Sequence, residues 1–151
     1  MRLLLAVSAD GYLALGPEDD MKWTGPIDKA VFRLLTLSDG NDTLYAGSRT
    51  FDQMPQLPGR RLERLSRSGK TVTAAAHSDR HSWLIGGAEV ALEALRQGLI
   101  DRAFICISPA VLGSGIPFQP LARYLPAPAH TIKVGDVKVL VHTEDQLWPA
   151  R

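Results

Sequence analysis

The stretch WLIGGAEVALEALRQG, residues 83–98, reads as a strand, a break and a helix. Trp83, Leu84 and Ile85 form a short apolar run of the kind a buried strand requires. Gly86 and Gly87 interrupt it. The following run of Ala, Glu and Leu is rich in helix formers and is closed by Gly98. A second strand–glycine–helix junction stands upstream in LYAGSRTF, residues 44–51. Such units, repeated, build an α/β domain with a mostly parallel sheet and helices on both faces.

The rest of the chain fits the same alternation. Residues 3–7 are an apolar strand, and Asp10-Gly11 turns into a second short run at 12–15. A loop with Gly16, Pro17, Glu18, Asp19 and Asp20 leads to Trp23. A helix then starts near Pro26, with Gly25 or Thr24 as its cap. Asp39-Gly40-Asn41-Asp42 ends that unit. Residues 43–46 are a strand and 48–54 a short helix. Residues 55–82 are basic and turn-rich, with a strand expected at 71–75. Residues 103–107 are a buried strand, and 111–128, with Gly113, Gly115 and several prolines, are expected to form one long loop. Residues 131–134 and 137–142 close the chain as a hairpin turning at Gly135-Asp136. The expectation is one domain spanning residues 1–151.

Composition narrows the function. The chain is 45% hydrophobic and 22% charged with a net charge of +1, which is ordinary for a globular domain and carries no polyanion-binding signature. Nucleic acid is therefore not an expected partner. The histidines (His77, His81, His130, His142) show no ligand spacing with the single Cys106, so no metal is expected. Cys106 lies in an apolar run and reads as a small buried hydrophobe. The apolar start at 3–7 is too short for a signal peptide, and nothing reaches membrane-spanning length. A cytoplasmic location is the expectation.

Asp28 is the residue out of place. In WTGPIDKAVFRLL, residues 23–35, Ile27, Val31, Leu34 and Leu35 make an apolar stripe, while Lys29, Arg33 and Thr36 make the wet side. Asp28 borders the stripe. One reading is a helix-start acid that complements the dipole and bonds backbone N–H groups. The other is a partly buried acid at the edge of a substrate pocket, able to hold a proton for a basic ligand. The two are compatible.

Two further constellations bear on chemistry. The glycine junctions at Gly47 and Gly86-Gly87 suit phosphate, because helix N-termini offer unpaired N–H groups, although such glycines also serve as plain tight connections. Neither fits the dinucleotide spacing GxGxxG. The cluster PGRRLERLSRSGK, residues 58–70, carries Arg60, Arg61, Arg64, Arg67 and Lys70 against Glu63. Such a run is ordinarily a solvated surface, but arginines behind a Pro-Gly turn also clamp carboxylate or phosphate.

Taken in order, these pieces resemble the dihydrofolate reductase superfamily over nearly the whole chain. Trp23, Pro26, Asp28 and Phe32 match W-x-x-P-x-D-x-x-x-F, and Gly47, Thr50 and Phe51 match G-x-x-T-[WF]. Leu57-Pro58-Gly59-Arg60 follows, and then Ile85, Gly86, Gly87 and Val90. The resemblance implies a single three-layer domain with a C-terminal antiparallel hairpin. It implies NADPH-dependent reduction of 7,8-dihydrofolate to 5,6,7,8-tetrahydrofolate, hence a place in one-carbon metabolism and a target for antifolates. Asp28 would bond the pterin amidine edge and promote protonation beside the carbon that accepts hydride. Leu4, Ala6, Trp23, Phe32, Met54, Leu57, Ile85 and Cys106 would surround the substrate, and Arg60 would hold the α-carboxylate of its glutamate tail. Ala6, Leu13, Gly47, Ser48, Arg49, Thr50, Ser66, Arg67, Gly86, Gly87, Ala88, Glu89 and Val90 would contact NADPH, with a cis peptide between the two glycines of 86–87. The oligomeric state is left open.

The chain also departs from that pattern. Ser48 stands where an arginine for the 2′-phosphate is usual, with Arg49 beside it. Ala91 replaces an aromatic, which implies a looser nicotinamide pocket. Cys106 replaces a threonine that commonly bonds the acid. Residues 60–85 are short, and ISPAVLGSGIPF, residues 107–118, is closer to the related reductases of riboflavin synthesis. Those enzymes reduce the ribosyl group of a phosphorylated aminopyrimidine with NADPH, and that activity is the alternative expectation. A non-catalytic NADPH-binding paralogue is a third.

Overall fold

The computed structural model describes residues 1–38, 42–125 and 127–143. The turn expected at 39–42 lies mostly outside them. Strand β1 (Arg2–Val7) is followed by the short β2 (Tyr12–Ala14), a 3-10 turn (Lys22–Thr24) and helix α1 (Gly25–Leu37). Then come β3 (Thr43–Gly47), α2 (Ser48–Gln53), β4 (Arg61–Leu65) and α3 (Val72–Ser78). The chain continues through β5 (Trp83–Leu84), α4 (Ala88–Arg96), β6 (Arg102–Ile107), β7 (Ile116–Pro117) and α5 (Gln119–Ala122). The hairpin β8 (His130–Val134) and β9 (Val137–His142) follows.

The main sheet has the order β4-β3-β5-β1-β6-β9-β8. The pairings from β4 to β6 are parallel, and β9 and β8 pair antiparallel at the end. Because successive strand residues point to opposite faces, two apolar clusters form. Leu3, Leu5, Val7, Tyr45, Leu84 and Ile105 pack with Ala75 and Ala76 of α3, Ala91, Ala94 and Leu95 of α4 and Leu121 of α5. Leu4, Leu44, Trp83, Cys106 and Val139 pack with Val31 of α1 on the other face. Three layers result, as the sequence implied.

Trp83 is the largest buried side chain of the α1-face cluster. Its indole N–H donates to Asp42 Oδ2 at 3.0 Å, and the Arg2 guanidinium lies 4.1 Å from its ring centroid. That bond lets a buried Trp satisfy its polar edge while holding β5 between β1 and β3.

Four expectations need correcting. Residues 71–75 are not a strand: Thr71 caps α3, its hydroxyl accepting from Ala74 N at 3.2 Å, and Ala74, Ala75 and Ala76 carry the helix. Thr71→Ala should therefore lower stability by about 1 kcal/mol, read as a small drop in Tm. The strand of this region is β4, whose charged RLERL hid an edge strand. The segment 111–128 is not one loop, since β7 pairs antiparallel with β2 and α5 follows. The fourth concerns α1, where Leu34 is 72% exposed and Thr36 is 0% exposed. The inward face runs Asp28, Val31, Phe32, Leu35, Thr36 at helical spacing, so the acid stands in the apolar stripe itself.

Candidate functional site

Helix α1 packs its inner face on the sheet, and Asp28 is the carboxyl buried on that face. The cap of α1 is Thr24, which makes no side-chain cap bond, and Pro26 sits in the first turn. Asp28 comes one turn in, and among the described residues no backbone N–H bonds its carboxyl. It is 9% exposed. Burial pushes its pKa up from the ordinary 3.8, against the opposing pull of Lys29 and Thr24.

The structure brings several of the expected substrate residues together on the face of the sheet that α1 covers. Leu4, Cys106 and, partly buried, Phe32, Leu57 and Ile85 belong to one cluster on the α1 face. Ala6 pairs in register with Cys106. The Cys106 thiol is pushed up to about 12 by burial and by the Asp28 charge, which places the two side chains in electrostatic reach and makes the thiol inert. Met54 is half-buried and ends α2, outside that cluster. Trp23 is half-buried and borders a separate cavity of about 340 Å³ at the start of α1, with Ser108, Pro109 and Asp136.

Arg60 stands at the end of α1 because the Pro58-Gly59 turn docks there. Gly59 has φ 77°, and a Cβ there would lie 3.0 Å from Leu37 Cδ2, so glycine is required on both counts. Arg60 Nη1 donates to Thr36 Oγ1 at 3.0 Å and Nε to Pro58 O at 3.2 Å. Its guanidinium lies 6.0 Å from the Phe32 ring centroid. Burial and the neighbouring Arg33 pull its pKa down, and among the described residues no carboxylate pairs with it. The rest of the basic cluster is surface: Arg64 pairs with Asp52, and Lys70 lies 3.7 Å from Glu63. Sequence reasoning missed Thr36. A threonine on a helix face that also donates back to Phe32 O at 2.7 Å was the available signal.

The expected cofactor residues collect at the carboxyl ends of β3, β4 and β5. Gly47 N donates to Gly86 O at 2.8 Å, joining the two glycine junctions. A Cβ on Gly47 would sit 3.0 Å from Val90 Cγ2 and 3.4 Å from Gly87 N. The peptide between Gly86 and Gly87 is cis. Thr50 Oγ1 would lie 3.3 Å from a Cβ on Gly87, so its hydroxyl faces the same junction. Gly47 pairs in register with Leu65, which sets Ser48 and Arg49 beside Ser66 and Arg67. Neither Gly47 nor Gly87 gives a side-chain cap, so the first-turn N–H groups of α2 and α4 stay open.

That donor set fits an anionic dinucleotide, with three local qualifications. Glu89 puts an acid in the first turn of α4, where it competes with phosphate. The Ser66 hydroxyl already accepts from Gly69 N at 2.9 Å. Leu13 is buried in the core on the α4 face. Ala91 is 0% exposed and packs in the core on the α4 face. Among the described residues no cluster of His, Cys, Asp or Glu could hold a metal, and no helix is long and apolar enough to cross a membrane.

No protein-family profile matches the chain, and no curated protein matches it. Among solved structures it is similar to the crystal structure of a "putative riboflavin biosynthesis protein" from Shewanella sp. PV-4. The identity is 18% and the TM-score 0.57, over 94% of this chain and 97% of that one. The likeness is one of fold: a mostly parallel sheet between helices with a C-terminal antiparallel pair.

Proposed function

We propose that the chain is an NADPH-dependent reductase of 7,8-dihydrofolate, with Asp28 as its proton-holding group. The observation that carries this reading is a carboxyl buried on the apolar inner face of α1, its pKa raised by desolvation. Reducing a C=N bond needs a hydride at carbon and a proton at nitrogen, and the proton makes the carbon a better acceptor. A nicotinamide dinucleotide supplies the hydride when bound. Asp28 would accept the N–H donors of the pterin amidine edge and favour the proton on the ring nitrogen. Leu4, Phe32, Leu57 and Ile85 give that ring apolar walls and exclude water. Arg60, braced by Thr36, would hold the α-carboxylate of the glutamate tail.

A second reading draws on the Shewanella structure: reduction of the ribosyl group of a phosphorylated aminopyrimidine on the same scaffold. The folate reading is preferred because Asp28, Phe32 and Arg60 occur together in the pattern of the folate enzymes, whereas both reductions consume a proton. Loss of NADPH absorbance is measured with each substrate in turn. Turnover of dihydrofolate supports the first reading, turnover of the pyrimidine alone replaces it with the second, and NADPH binding without either turnover makes the chain a nucleotide-binding protein.

Cofactor choice rests on Arg49, exposed at the start of α2 with no acidic partner among the described residues. Arg49→Ala should reduce the preference for NADPH over NADH by about tenfold, the low end for a charged hydrogen bond at an exposed site. NADH kinetics should stay unchanged, since NADH has no 2′-phosphate. An unchanged ratio moves the assignment to Arg67.

A further inference from the structure

Asp19 belongs to none of the groups assigned above, yet it is the most heavily bonded carboxylate of the cleft's approach loop. Its Oδ2 accepts from Leu15 N at 2.7 Å and from the Trp23 indole N–H at 2.8 Å. Its Oδ1 accepts from Met21 N at 2.7 Å. Partial burial pushes its pKa up, but the bonds from Leu15, Met21 and Trp23 outweigh that and hold it below the usual range. The ion is thus the form the loop is built around.

Met21 shows what those bonds hold. Among the described residues it is the one non-glycine residue with positive φ, at φ 60° and ψ 22°. That conformation is costly for a side chain with a Cβ and persists only where its surroundings over-determine it. Met21 N is tied to Asp19, and Met21 O accepts from Thr24 Oγ1 at 2.9 Å, Thr24 N at 3.3 Å and Lys29 Nζ at 3.2 Å. Lys29 Nζ also donates to Thr24 Oγ1 at 2.8 Å, and Thr24 and Lys29 are the polar neighbours of Asp28. One chain of contacts therefore runs from Asp19 through Met21 to the cleft acid. At its other end the loop touches α2, where Gln53 Nε2 donates to Pro17 O at 2.8 Å.

We infer that Asp19 is a positioning residue of the cleft: it holds the Trp23 indole and the Met21 backbone, and through Met21 it fixes Thr24 and Lys29 beside Asp28. The inference rests on the reductase reading only for its kinetic consequence. The positioning itself is open to a measurement that needs no turnover.

The test compares the full chain with Asp19→Ala and Asp19→Asn, each made also with Trp23→Phe so that the emission of Trp23 is obtained by difference. Asp19→Ala should move Trp23 emission to longer wavelength and raise its acrylamide quenching about twofold, as an indole that loses its partner becomes mobile and wet. It should lower kcat/KM for dihydrofolate about tenfold while NADPH affinity stays within about twofold, since misplacement at the cleft acts on the reacting geometry. Asp19→Asn keeps one acceptor oxygen and should restore part of both effects, and it serves if the alanine variant unfolds. Unchanged Trp23 emission overturns the positioning claim. A shifted emission with unchanged kcat/KM overturns its connection to the cleft. Absence of turnover in the parent chain overturns the reductase reading, while the emission arm still decides the role of Asp19.

Discussion

Asp28→Asn should slow reduction by about 10²–10⁴-fold at neutral pH and at the same time make the protein more stable. The first half follows from removing the buried carboxyl while keeping its shape. The second follows from linkage. Asp28 has a folded-state pKa above its unfolded value, so the native state favours the protonated form. The stability this confers is complete below the unfolded pKa of about 3.8 and is lost as pH rises through the folded value. At pH 7 the folded protein therefore carries a buried carboxylate at a cost, which asparagine removes. Each kcal/mol recovered should appear as roughly 2–4 °C in Tm for a chain of this size. The gain should vanish at pH 3. Calorimetry of both proteins at the two pH values, alongside the NADPH assay, checks the pair. A variant that melts earlier and keeps its rate would make Asp28 a helix-start residue after all.

Arg60→Leu should weaken dihydrofolate by about one to two decades in affinity and leave a tail-less dihydropterin nearly untouched. A hydrogen bond between a guanidinium and a carboxylate contributes roughly 1.5–3 kcal/mol. Arg60 is half-buried, carries no acidic partner among the described residues and is braced by Thr36 with its pKa depressed, so the cation lacks a counter-ion until a ligand arrives. Thr36→Val should reproduce a smaller part of the same loss, because it frees the guanidinium without removing it. Equilibrium titration of both ligands against the two variants separates these effects. Equal losses for the two ligands would make Arg60 a structural residue of the turn.

How much was legible depended on how local the cause was. The β5–α4 unit reads directly from WLIGGAEVALEALRQG because strand, break, helix and stop are all encoded within a few residues of one another. Residues 71–75 failed because Thr71, Val72 and Thr73 are β-branched, and the alternative, a threonine cap before an alanine run, lies in the same letters. β4 was hidden because an edge strand tolerates charge on both faces. On α1, periodicity placed Leu34 inside and Thr36 outside. The reverse holds because Thr36 has a partner, Arg60, that arrives from a distant turn. Asp28 was visible as an anomaly of pattern. Asp19 was not, since one acid among several in a Gly-Pro loop signals nothing until the indole it bonds is placed.

The most direct test of the central claim is the pH dependence of the hydride-transfer step itself, followed in a single turnover of NADPH and dihydrofolate by the protein and by Asp28→Asn. Single-turnover rates exclude product release, so they report the protonation state that the chemistry needs. With Asp28 present, the rate should hold a plateau in acid and fall as pH rises through a value above the ordinary carboxylate range, in line with its raised pKa. With asparagine in its place that break should disappear, leaving a low rate that climbs only as solvent protonates the substrate. Two profiles of the same shape and height would contradict the account.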